Sequence, residues 1–164
     1  MNFKQLVNTS LTLTAIVSLS ACVKTGMGTH IEPQGKDVGQ LIVFTPNNSG
    51  DEIISIALNN KFLAALPSSH QVNQNLCRGD YTLKASLVLP YTGNQIRRIE
   101  NTGTFTINQN QTTYIAVERT TKGLSLSAVD QSVWENSGKL NTENKQLLRR
   151  LPASFFQCGA DKAN

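Results

Sequence analysis

The stretch Tyr81-Thr82-Leu83-Lys84-Ala85-Ser86-Leu87-Val88-Leu89 decides the fold class. Tyr81, Leu83, Ala85, Leu87 and Leu89 alternate with Thr82, Lys84 and Ser86, so in an extended chain they share one face. A helix would scatter the same residues around its circumference. Strict alternation predicts a strand with one face on a core and the other in water.

Neighbouring segments speak the same language. Gln40 to Thr45 is a continuous apolar run with β-branched residues, closed by Pro46-Asn47-Asn48-Ser49-Gly50, which predicts a central strand buried on both faces. Glu52 to Leu58 and Lys61 to Leu66 read as a hairpin through Asn59-Asn60, because asparagine tolerates positive φ. Phe62, Ala64 and Leu66 are expected on one face. Gln71 to Leu76 reads as a short polar edge strand, and Cys77-Arg78-Gly79-Asp80 as a turn. Gln95 to Asn108 reads as a strand with a bulge at Asn101-Thr102-Gly103. Thr112 to Arg119 and Leu124 to Val129 follow, joined by a turn at Lys122-Gly123.

About seven or eight strands with turns every 8–12 residues predict an all-β fold, a single antiparallel β-sandwich. The end of the chain reads differently. Leu140, Leu147, Leu148 and Leu151 fall at helical spacing, with Asn141 as N-cap, Arg149 and Arg150 near the end, and Pro152 as the stop. A short C-terminal helix is expected over about 141–151, with Phe155 and Phe156 packing back onto the domain.

The other end reads as an export segment. Lys4 supplies a positive start, Leu6 to Leu19 an apolar core diluted by polar residues, and Leu19-Ser20-Ala21-Cys22 the close. The run is too short and too polar for a spanning helix, which needs about 20 apolar residues. Leu19-Ser20-Ala21-Cys22 resembles the lipobox of bacterial lipoproteins, which implies cleavage before Cys22 and lipidation of that cysteine. Two or three acyl chains hold a protein at a bilayer where one does not, since each buried methylene contributes about 0.8 kcal/mol. A plain signal peptide cut near Ala21 is the other reading. Val23, rather than aspartate, after the cysteine implies in that family the outer membrane, and its periplasmic face is expected.

The domain organisation expected is therefore a signal peptide over 1–21, a lipidated tether over 22–38, and a β-domain over 39–164. The tether lacks periodicity and carries three glycines and Pro33; as flexible coil it reaches roughly 20–25 Å. Removing residues 1–21 takes only one charge, Lys4, and lowers the formal net charge from +4 to +3. That excess is scattered, so no nucleic-acid partner is expected. Cys77 and Cys158 remain after Cys22 is set aside. Two cysteines in an oxidising compartment read as one disulfide, two buried thiols being the alternative.

Gly39 to Leu89 resembles the small PEGA-like β-sandwich domains of bacterial envelope lipoproteins, and the domains ahead of some outer-membrane-protein-A-type modules. The resemblance rests on Leu41-Ile42-Val43-Phe44, on the hairpin from Ile54 to Leu66, and on Cys77-Arg78-Gly79-Asp80-Tyr81-Thr82-Leu83. The turns depart from that pattern: Asn59-Asn60 stands for Asp-Gly or Asn-Gly, and Arg78-Gly79 for Pro-Gly. The resemblance implies a non-catalytic binding or spacer domain.

Catalytic chemistry is not expected. His30 and His70 are the two histidines, and neither lies at metal-ligand spacing from a Cys, Asp or Glu. A triad of His70 with Ser69 lacks an elbow motif. Arg78-Gly79-Asp80 spells an integrin-type tripeptide but reads as a charged turn, and Arg97-Arg98 fall on opposite faces of a strand. No cofactor and no metal are expected. The sequence reads as a membrane-anchored scaffold or binding component with an envelope protein partner, in a secretion, adhesin or pilus apparatus. A small-ligand or glycan binder using Tyr91 and Trp134 is the alternative, and a cell-wall enzyme using His70 or Glu100 a remoter one.

Overall fold

The computed structural model describes residues 33, 35–46, 52–88, 98–142, 151 and 155–159, without the side chain of Val88. Cys22, the tether before residue 33, His30, Leu89, Tyr91, Arg97, Pro152 and residues 143–150 of the expected helix lie outside them. Nine strands and one short helix make up the described chain, so the fold is all-β. They are β1 (Val38–Thr45), β2 (Ile54–Leu58), β3 (Lys61–Leu66), β4 (His70–Cys77), β5 (Gly79–Val88), β6 (Arg98–Ile107), β7 (Thr112–Thr120), β8 (Gly123–Val129), α1 (Gln131–Glu135) and β9 (Asn141–Thr142). Five strands form one sheet in the order β8-β7-β1-β4-β9, and four form a second in the order β3-β2-β5-β6. Among the described residues no helix is long and apolar enough to cross a membrane.

One hydrophobic cluster draws on both sheets. Leu41, Val43 and Ile115 enter it from the first, and Ile56, Leu83, Ala85 and Leu87 from the second. The alternation from Tyr81 to Leu87 is thus spent as expected, with the apolar set inside. β1 is central in its sheet, and Phe44 and Val43 are both fully buried although they point to opposite faces. The outward face of β1 is crossed by Trp134. Its Nε1 donates to Gln71 Oε1 at 2.8 Å, and its ring lies 5.2 Å from that of Tyr114. Gln71 is paired with Phe44 on one flank of β1 and Tyr114 with Ile42 on the other, so the indole spans the strand between them. Gln71 Nε2 also donates to Thr142 Oγ1 at 3.0 Å. One buried amide thereby holds both ends of the segment from α1 to β9.

Several expectations are corrected. The sheets are not wholly antiparallel: β1 runs parallel to β7, and β4 parallel to β9. The first parallel pair follows from chain direction. β6 ends near the start of β1, and after Asn108–Gln111 the chain begins β7 there, with Gln40 N–H donating to Gln111 O at 2.9 Å. Asn141 is not a helix N-cap. Asn141 and Thr142 pair with His70 and Gln71, and the Asn141 N–H donates to Ser69 O at 2.9 Å. The described helix sits earlier, at Gln131–Glu135, and five residues are too few for a periodicity signal. Asn101-Thr102-Gly103 is not a bulge, for β5 and β6 pair without interruption from Gly79–Ile107 to Val88–Arg98. The irregularity lies in the hairpin, between Ile56 and Ala57. It turns Leu63 and Ala64 inward and leaves Phe62 37% exposed, so Phe62 does not share a face with Leu66.

The Asn59-Asn60 turn forms as expected, with φ of 45° and 62°. Asn59 Oδ1 accepts from Thr82 N–H at 2.8 Å, which secures the turn to β5. The two sheets are stitched at their margins. Asn101 Nδ2 on edge strand β6 donates to Leu124 O on edge strand β8 at 2.8 Å, and Glu52 pairs with Arg119 between the start of β2 and the end of β7. Thr45, fully buried at the end of β1, donates to the Pro67 carbonyl and accepts from His70 N–H.

Gln74 is the conspicuous polar residue of the interior. It faces the core beside Leu41, is 1% exposed, and spends Nε2 on Asn75 O at 2.8 Å, while Oε1 has no hydrogen-bond partner. A buried acceptor without a donor costs about 1–3 kcal/mol. Gln74→Met keeps the volume and removes that oxygen, and is expected to raise the unfolding free energy by about 1 kcal/mol in urea titrations. A loss of similar size would show that the bond to Asn75 outweighs the orphan oxygen.

Candidate functional site

The chain changes sheets at a single residue. β4 ends at Cys77 in the five-stranded sheet, β5 begins at Gly79 in the four-stranded one, and Arg78 alone joins them. Two remote segments converge on this corner. The Arg78 N–H donates to Asp37 O at 2.8 Å, tying in the residues that lead into β1. Cys77 is bonded to Cys158, with Cα atoms 4.9 Å apart, which brings in the C-terminal tail. Gly35 lies against the Cys158 carbonyl at φ 115°, where a Cβ would overlap that oxygen, so only glycine fits. The expected disulfide is therefore present, and Phe155 and Phe156 pack into the core as anticipated.

Tyr81 forms the floor. Its hydroxyl donates to Cys77 O at 2.8 Å, and its ring lies 5.5 Å from that of Phe155. Burial pushes its pKa above the ordinary tyrosine value, which keeps the donor protonated. Over this floor opens a depression of about 680 Å³ lined by Asp37, Asn59, Arg78, Asp80, Gln157 and their neighbours. Asp80 Oδ1 accepts from Thr106 Oγ1 at 2.6 Å. Residues of both formal charges, Arg78 and the two aspartates, line the depression, and no ion pair joins Arg78 to either aspartate.

The remaining candidates are placed elsewhere. His70 Nδ1 contacts the Ser68 carbonyl at 2.8 Å; since a carbonyl only accepts, this nitrogen carries the proton. The ring belongs to the β3–β4 turn. Trp134 is held by Gln71 and Tyr114, so its N–H is already spent in the fold. Among the described residues no cluster of three or more His, Cys, Asp or Glu is placed to hold a metal ion.

Glu100 lies on the outward face of the four-stranded sheet, 2.7 Å from Lys84 Nζ and 3.6 Å from Arg98 Nη1. The hydrogen bond from Lys84 is the main reason its carboxyl titrates below the ordinary glutamate value. A depressed carboxyl stabilises the fold above its unfolded pKa, and that contribution is lost as pH falls through the lower folded value. Carboxyl-detected NMR titration is expected to place Glu100 below a model glutamate, and Lys84→Met to return it most of the way. An unmoved midpoint in the variant would remove Lys84 as the cause.

Of this site the sequence carried the cysteine pair and a change of direction near Arg78, although the turn expected over Cys77-Arg78-Gly79-Asp80 is reduced to Arg78 alone between β4 and β5. It did not carry Asp37, Asn59 or Gln157, which come from three separate segments with no local signal. Only the Cys77–Cys158 spacing hinted that the tail reaches the corner. No protein-family model, no curated protein and no solved structure matches this chain.

Proposed function

We propose that this protein is a lipid-anchored envelope lipoprotein whose β-domain is a non-catalytic binding and scaffold component of an envelope assembly, held at the periplasmic face of the outer membrane through Cys22. The lipobox-like Leu19-Ser20-Ala21-Cys22 motivates the anchor, and the resemblance to PEGA-like domains motivates the role. The observation that carries the reading is the brace where the chain joins its body. The residues leading into β1 are tied to the β4–β5 corner through Asp37 and to the tail at Gly35, and corner and tail are covalently joined. A tether arriving there pulls on a cross-linked corner rather than on a strand end that frays.

The opposite end of the domain carries the turns at Pro67–Ser69 and Thr121–Lys122 and points away from that attachment. Strand β3 runs along the edge of its sheet from the Asn59-Asn60 turn beside the corner toward that far end, and with the exposed side chains of Phe62 near its start and Ile53 it supplies contact surface for a protein partner.

Two measurements test the reading. Cys22→Ser is expected to move the protein from the membrane fraction to the soluble one, and unchanged partitioning refutes the anchor. A photo-reactive residue in place of Phe62 is expected to yield a discrete cross-linked protein in intact envelopes, lost when the probe is moved to Thr104. The same background at both positions sinks the partner surface.

A further inference from the structure

The depression beside the disulfide pairs features that a folded surface seldom leaves together. Arg78 lines it with Asp37 and Asp80, yet no ion pair joins them. Residues of both formal charges therefore line one concavity without pairing with each other. Their backbones are not free to collapse onto each other. Asp37 O is bonded to the Arg78 N–H, Asp80 is fixed by its β5 pairing with Thr106 and by that threonine's hydroxyl, and the tail wall is held by Cys158. The floor is apolar, built from the Tyr81 and Phe155 rings, and Asn59 and Gln157 add amides at the rim. The volume of about 680 Å³ falls within the range of small-molecule sites, roughly 300–1,000 Å³.

From this arrangement we infer that the depression binds a zwitterion of the amino-acid or short-peptide type. Its carboxylate meets Arg78, and its ammonium meets the carboxylates of Asp37 and Asp80. An anion alone would face two aspartates, and a cation alone would face the arginine. A ligand carrying both charges satisfies both walls and gains charge-assisted hydrogen bonds that neither half-ligand makes in full. The fixed backbone means that little ordering opposes binding. This inference does not depend on the anchor or on the β3 surface, and a failure of either leaves it standing.

The test is an amide-shift titration of the full chain, disulfide intact, with four probes: glycine, glycylglycine, acetate and ethylammonium. Glycylglycine or glycine is expected to shift the amides of Arg78, Gly79, Asp80 and Gln157 with a Kd on the order of 1 mM or tighter. Acetate and ethylammonium are expected to bind at least about tenfold more weakly. Glycine binding as tightly as glycylglycine identifies a free amino acid as the ligand form, and a preference for the dipeptide identifies a peptide. Arg78→Gln and Asp80→Asn, both at exposed positions, are each expected to weaken binding about tenfold while leaving the remaining amide shifts in place. Equal responses to all four probes, or none at saturating concentration, overturn the proposal.

Discussion

Replacing Cys77 and Cys158 together by alanine is expected to lower the unfolding free energy by about 4.5 kcal/mol. That is the chain-entropy value for a loop closed over 81 positions. The bond joins the end of β4 to a tail that brings Phe155 and Phe156 into the core, 9% and 2% exposed. In the cross-linked chain the unfolded state cannot let this tail wander, and the gain lies mostly there. Urea unfolding of the oxidised protein against the double variant measures it. The same experiment followed by tail-specific proteolysis adds a structural readout, since the severed tail should be cut near Phe155 well before the sheets unfold. A stability loss under about 1 kcal/mol would mean that aromatic packing alone holds the tail.

Phe44→Ala is expected to cost about 3–5 kcal/mol, the range for removing a fully buried aromatic ring. The case is informative because Phe44 does not belong to the cluster between the sheets. It lies on the outward face of β1, where Trp134 crosses from Gln71 to Tyr114. Phe62→Ala, at a 37% exposed ring on β3, is the matched control and is expected to cost under about 1 kcal/mol. Equal losses at the two positions would show that the outer face of β1 is not a second core. Trp134 fluorescence offers an independent reading, because the indole is held by Gln71, the cross-strand neighbour of Phe44, and its emission should redden when the Phe44 ring is lost and water enters that face.

How much of this was legible beforehand depends on the range of the interaction concerned. The alternation in β5, the unbroken apolar run of β1 and the Asn59-Asn60 turn each arise from neighbours within a few residues. Each came out in the structure as read. The hairpin register did not, because the slip at Ile56–Ala57 turns Leu63 and Ala64 inward together and no alternation inside β3 announces it. The depression was illegible for the same reason on a larger scale. Asp37, Asn59, Arg78 and Gln157 are adjacent only because the corner, the β2–β3 turn and the tail meet there.

From composition and spacing alone come the strand-rich character and the central place of β1; the pairing of Cys77 with Cys158 was expected only once the lipobox resemblance set Cys22 aside. These follow from side-chain periodicity and from the small number of partners a thiol can choose. Tertiary structure decided that β7 lies parallel to β1, that Asn141 and Thr142 extend a sheet instead of starting a helix, and that charges of both signs gather beside the disulfide. Strand neighbours are selected by which buried faces fit and by where each connection releases the chain, and neither quantity is written in any single segment.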